Sequence, residues 1–90
     1  MRNVILNCEN LLHREQAHSY LAQALEFPAY YGRNLDALYD CLTELGPSTL
    51  TLYGAGTLRQ AGGYGAMILT VMEAAARANP NLSLRVEESI

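Results

Sequence analysis

Val4-Ile5-Leu6 is a short apolar run bounded by polar residues, a pattern that predicts a buried strand. Thr49 to Tyr53, rich in β-branched and aromatic side chains after Gly46-Pro47, predicts a second. Leu82 to Val86 alternates Leu-Ser-Leu-Arg-Val after Asn79-Pro80-Asn81 and predicts a third. Two helical patterns lie between the first two strands. Glu15 to Leu25 carries Tyr20, Leu21, Ala24 and Leu25 on one side and is stopped by Phe27-Pro28, because the residue before proline is pushed out of the helical region. Leu35 to about Leu45 forms the second, with Asn34 placed to cap it and Gly46-Pro47 to end it. After the second strand, Ala55 to Gln60 predicts a short helix. Glycines 62, 63 and 65 then lead into a longer one with Ile68, Val71, Met72 and Ala75 at helical spacing.

The order β-α-α-β-(α)-α-β favours parallel strands, since helical crossovers join strands running the same way and do so right-handedly. The expected fold is a small α/β domain: a three-stranded parallel sheet with three to four helices packed on it. A chain of 90 residues suits one domain spanning 1–90. Half of the residues are apolar and 17% are charged, as in ordinary globular proteins.

The formal charge is −3, from nine acidic against six basic side chains, and no basic stripe is visible. Direct nucleic-acid binding is therefore not expected. Cys8 and Cys41 are too few for a disulfide framework or a zinc site, and both are expected to be reduced. The N-terminal apolar stretch is broken by Asn7, Glu9 and Asn10, and lacks the length of a signal peptide or membrane span. A cytoplasmic location, no membrane contact and no cofactor are the expectations.

Chemistry concentrates on the second helix. At about 100° per residue, Leu35, Leu38, Cys41, Leu42 and Leu45 share one arc and form the core side. Asp36, Asp40 and Glu44 form a row on the opposite side, with Thr43 beside them. Asp36 is favoured by the helix dipole. Asp40 and Glu44 are not, and like charges at i,i+4 cost ~0.2–0.5 kcal/mol per pair. A solvated acidic face is the plain alternative, but acids placed against folding preference point to a cationic partner. Tyr30-Tyr31-Gly32 in the preceding loop and Tyr39 on the helix flank add aromatic area suited to an interface. Either loop tyrosine is equally able to pack inward, and Gly32 is expected to supply a turn conformation closed to other residues.

The segment FPAYYGRNLDALYDCLT, Phe27 to Thr43, resembles the signature of the barstar family, and the element order matches that family's fold. The resemblance implies a protein inhibitor, itself no enzyme, whose acidic helix and preceding loop plug the active site of a small basic ribonuclease. Its carboxylates would take the places of RNA phosphates. By position, Asp40 would be the central anchor, Asp36 its acidic neighbour and Tyr30 the loop contact, with Gly32, Asn34, Leu35 and Thr43 shaping or lining the interface. Glu73 resembles the family's acidic contact on the last helix, although an i,i+4 pair with Arg77 would also account for it. Three positions depart from the pattern: Tyr39 in place of Trp, Arg33 in a loop that can be acidic, and Glu44-Leu45 in place of a Gly-aromatic pair. They bear on which partner is chosen. The free chain is expected to be a monomer.

Other readings stay open at this point. A carboxylate pair with a nearby tyrosine could serve acid–base catalysis, as in glycoside hydrolysis, but that needs a cleft burying one carboxylate. A divalent metal on Asp36 and Asp40 would lack the usual oxygen count. A module of the same fold could bind a different toxin or a partner that is no nuclease, because fold does not determine function.

Overall fold

The computed structural model describes residues 2–87. Strand β1 (Arg2–Asn7) runs through a single 3₁₀ turn (Cys8–Leu11) into helix α1 (Arg14–Ala24); helix α2 (Leu35–Thr43), strand β2 (Ser48–Tyr53), helices α3 (Ala55–Ala61) and α4 (Gly63–Ala78) and strand β3 (Leu82–Glu87) follow. The strands form one parallel sheet in the order β1-β2-β3, so the expected α/β architecture with four helices is the one observed. The patterns place every strand and α-helix within a few residues. Helix α2 ends at Thr43 rather than Leu45, because the amides of Glu44 and Leu45 turn back to Cys41 and Leu42 at 3.3 Å and tighten the last turn. The 3₁₀ turn was not anticipated; it buries Cys8 and Leu11.

A strand order that follows the chain, joined by right-handed crossovers, brings every helix to the same face of the sheet. That face carries Leu6, Leu50, Leu52 and Leu82, all buried against Leu21, Leu38, Leu42, Leu58, Ile68 and Met72 from the helices. Its opposite face presents Asn3, Ile5 and Asn7 beside Thr49, Thr51 and Tyr53, then Ser83, Arg85 and Glu87 in matching register. Ile5 stands well exposed there. The chain passes from α3 into α4 through Gly62 and Gly63, whose φ values of +67° and +61° a side chain would oppose. Helix α4 packs along α2, which fixes how far α2 projects from the core.

Candidate functional site

Helix α2 is amphipathic in the way its spacing predicts. Leu38 and Leu42 are fully buried, Leu35 and Cys41 are half-buried, and Asp36, Tyr39, Asp40 and Glu44 face solvent. Its start is set by Asn34, which is extended (φ −142°, ψ 173°) and accepts the Ala37 amide on Oδ1 at 2.7 Å. Its end is held from a distance. The buried Asn79, just past α4, donates through Nδ2 to the carbonyls of Leu42 (3.1 Å) and Leu45 (3.0 Å). Its Oδ1 accepts the Asn81 amide at 2.9 Å. The Leu42 carbonyl thus gains a second donor beside the Leu45 amide, and the Leu45 carbonyl just past the helix gains one as well. The Thr43 hydroxyl folds back on its own helix, donating to the Tyr39 and Asp40 carbonyls at 3.0 Å.

Among the described residues, Asp36, Asp40 and Glu44 form no ion pair; the salt bridges there are Arg2–Glu26 at 3.0 Å and Arg59–Glu73 at 3.7 Å. Glu73 therefore meets Arg59 on α3, not Arg77 one turn along its own helix, and it is a half-buried side chain of α4. Burial, and then the carboxylates of Glu44 and Asp40, push the Cys41 thiol up and keep it protonated.

The loop before α2 sorts its two tyrosines. Tyr31 is buried, its ring tilted against Phe27 at 4.8 Å between centroids, and its amide closes a turn onto the Pro28 carbonyl at 2.9 Å. Tyr30 is 88% exposed and stands beside the acidic row. The left-handed conformation expected at Gly32 belongs to Arg33 instead (φ +56°). Gly32 is needed for closeness: a Cβ there would come within 3.2 Å of the Ala37 Cβ and 3.4 Å of Asn34 Nδ2. Arg33 is drawn onto α1, where Nη2 donates to Ser19 Oγ at 2.5 Å and to the Glu15 carbonyl at 3.5 Å. Its charge is thereby turned from the acids.

Loop and helix enclose an open groove of about 590 Å³, lined by Tyr30, Tyr31, Gly32, Asp40, Cys41 and Glu44 among others, with Arg2 and Glu26 at its far side. Asp40 and Glu44 line it while still exposed to solvent. No group of three or more His, Cys, Asp or Glu among the described residues is arranged to hold a metal ion. No helix there is long and apolar enough to cross a membrane.

The structure brings Tyr30, Gly32, Asn34, Leu35, Asp36, Tyr39, Asp40, Thr43 and Glu44 onto one loop and helix, and leaves Glu73 on a neighbouring one. Sequence reasoning missed Asn79 and His18, whose partners are distant in the chain. Asn79 was visible only as part of a turn, and His18 only as a histidine in the first helix region.

A family model described as Barstar (barnase inhibitor) matches residues 1–87 of this chain. The chain is also similar to a protein of Bacillus subtilis (strain 168) named "Putative ribonuclease inhibitor YrdF", with 48% identity over 52 residues. That match takes in 58% of this chain and 57% of the relative, so it spans little more than half of either.

Proposed function

The chain belongs to the barstar family, a family of inhibitors, and on that premise we propose that it inhibits a small basic ribonuclease by seating α2 and the Tyr30 loop in the enzyme's active site. The observation that carries this reading is the row Asp36, Asp40 and Glu44, exposed and without ion pairs among the described residues, beside an outward tyrosine. Carboxylates left unpaired on a folded surface are available to cations elsewhere, and an RNA-cleaving site is lined with cations that bind phosphates.

In this reading Asp40 is the anchor, central in the row and at the groove's edge. Asp36 and Glu44 extend the negative field along the helix, and Tyr30 and Tyr39 supply apolar area with a polar tip. Gly32, Asn34, Leu35 and Thr43 shape the surface that carries them. Glu73 acts at the rim, where its interaction with Arg59 competes with the partner. Arg33, held on α1, adds little repulsion toward a basic enzyme. The inhibitor works in the cytoplasm as a monomer with reduced thiols, and it meets no nucleic acid directly. Electrostatic steering sets its association rate, which falls steeply with added salt.

The test is a titration of RNA cleavage by small, basic, guanyl-preferring ribonucleases, including one encoded by the same organism. Loss of cleavage near a one-to-one ratio is expected. Full activity of the whole panel at excess inhibitor refutes the reading, and leaves a module of this fold with another partner.

A further inference from the structure

His18 lies on α1 with 1% of its surface exposed, yet both ring nitrogens have partners from elsewhere in the chain. Nδ1 is 2.6 Å from the Tyr31 hydroxyl in the partner-facing loop, and Nε2 is 2.7 Å from the Tyr64 hydroxyl on α4. One imidazole thus joins three elements, and the loop is the one that carries Tyr30. We propose that His18 is a positioning residue for the binding face: its neutral ring, bridging Tyr31 and Tyr64, holds Tyr31 inward and so sets Tyr30 outward, and the face is fully formed only while that ring is uncharged. The inference rests on the inhibitor reading for its consequence, but not for its structural content.

The geometry selects one neutral tautomer. Tyr31 is buried and Tyr64 is half-buried, so a hydroxyl proton left over is tolerable only on Tyr64, where solvent can take it. Tyr31 therefore donates to Nδ1, while Nε2–H donates to Tyr64. Protonating the ring makes both nitrogens donors. Tyr31 must then accept, and its own proton is left without a partner in the core.

The charge itself is also unsupported. The groups around the ring are Arg14 and Glu15 on its own helix, Arg33 and Tyr31 from the loop, and Tyr64 on α4, with Cys41 of α2 beyond Tyr31. Two of these are cations, and Glu15 forms no ion pair with His18 among the described residues. Burial first, then Arg14 and Arg33, hold the imidazole below its ordinary pKa of 6.5. Charging the ring accordingly weakens the hold on Tyr31, and with it the placing of Tyr30.

The experiment is an NMR pH titration of the free, full-length chain between about pH 7.5 and 5, in wild type, Tyr31→Phe and His18→Gln. In wild type, the backbone amides from Tyr30 to Asn34 should shift with the same midpoint as the His18 ring. Tyr31→Phe should leave the ring titrating while the loop amides stop following it. Loop amides that stay still while the ring titrates overturn the proposal. So does a loop response that persists in Tyr31→Phe, or a ring that stays neutral until the chain unfolds. A binding arm uses whichever ribonuclease the inhibition panel identifies. There, log Kd should rise by up to about one per pH unit below the midpoint in wild type, and this component should be missing from His18→Gln. An identical pH profile in the two proteins overturns the functional half. Should the whole panel escape inhibition, the inhibitor reading falls and the loop titration still decides whether His18 positions the loop.

Discussion

Replacing Asp40 by alanine should make the free protein more stable while it weakens inhibition. Asp40 lies in the second half of α2, exposed, with Asp36 and Glu44 one turn away on either side and no ion pair among the described residues. Removing it relieves two like-charge pairs at ~0.2–0.5 kcal/mol each. Exchanging Asp for Ala adds up to ~0.7 kcal/mol of helix propensity. No cavity opens, because the side chain is in solvent, and the Asp40 carbonyl that accepts the Thr43 hydroxyl is kept. The sum is roughly 1 kcal/mol. For a domain of this size, that moves the urea midpoint up by roughly 0.5–1 M. About half of the gain should vanish in high salt, since repulsion is screened and propensity is not. Inhibition should meanwhile fall, because the enzyme's cations lose the group that compensated them. A mutant less stable than wild type would refute the reasoning, since Asp40 would then be satisfying a group within the fold. A gain indifferent to salt would refute the part that rests on charge.

Other changes probe the scaffold. Asn34→Ala removes the cap on the Ala37 amide and should cost about 1 kcal/mol, read as a lower urea midpoint; an unchanged midpoint would show the cap to be dispensable. Gly65→Ala places a Cβ 2.9 Å from Leu58 Cδ2 and 3.1 Å from the Leu11 carbonyl oxygen. Overpacking of this kind costs ~1–3 kcal/mol, and a thermal midpoint at or above wild type would contradict it. Stability should also decline in mild acid. The His18 pKa is lowered in the folded state, so the unfolded chain takes up the proton first. The contribution is intact above about pH 6.5 and is lost as pH falls from there toward the folded pKa. His18→Gln should lack this slope, and a wild-type urea midpoint that rises on acidification would reverse the sign.

Much of the fold was legible because its signals are local. Leu35, Leu38 and Leu42 repeat at helical spacing, Asn34 caps them, and Leu82-Ser83-Leu84 alternates as a half-buried strand must. The acidic row was equally visible, since i,i+4 spacing on a helix puts three side chains in line whatever surrounds them. Non-local features were not. Asn79 bonds to the carbonyls of Leu42 in α2 and Leu45 just past it, across 37 and 34 residues, and His18 reaches Tyr64 across 46. Such partners come from packing, which no window along the chain reports. The loop tyrosines could not be told apart because Tyr30 and Tyr31 are chemically identical; the turn onto Pro28 and the His18 contact decide which faces inward. Glycine is the residue that most readily adopts left-handed backbone, but here Arg33 takes it and is held by Ser19.

The most direct test of the central claim maps the contact surface. Isotope-labelled inhibitor would be titrated with an unlabelled, catalytically inactive form of the ribonuclease it blocks, and amide signals followed by NMR. The account predicts that the perturbed residues run from Tyr30 through Glu44 and centre on Asp40, with weaker change at Glu73 and none on the open sheet face at Asn3, Ile5, Tyr53 and Arg85. A footprint on that sheet face, with Tyr30, Asp36 and Asp40 unmoved, would contradict it.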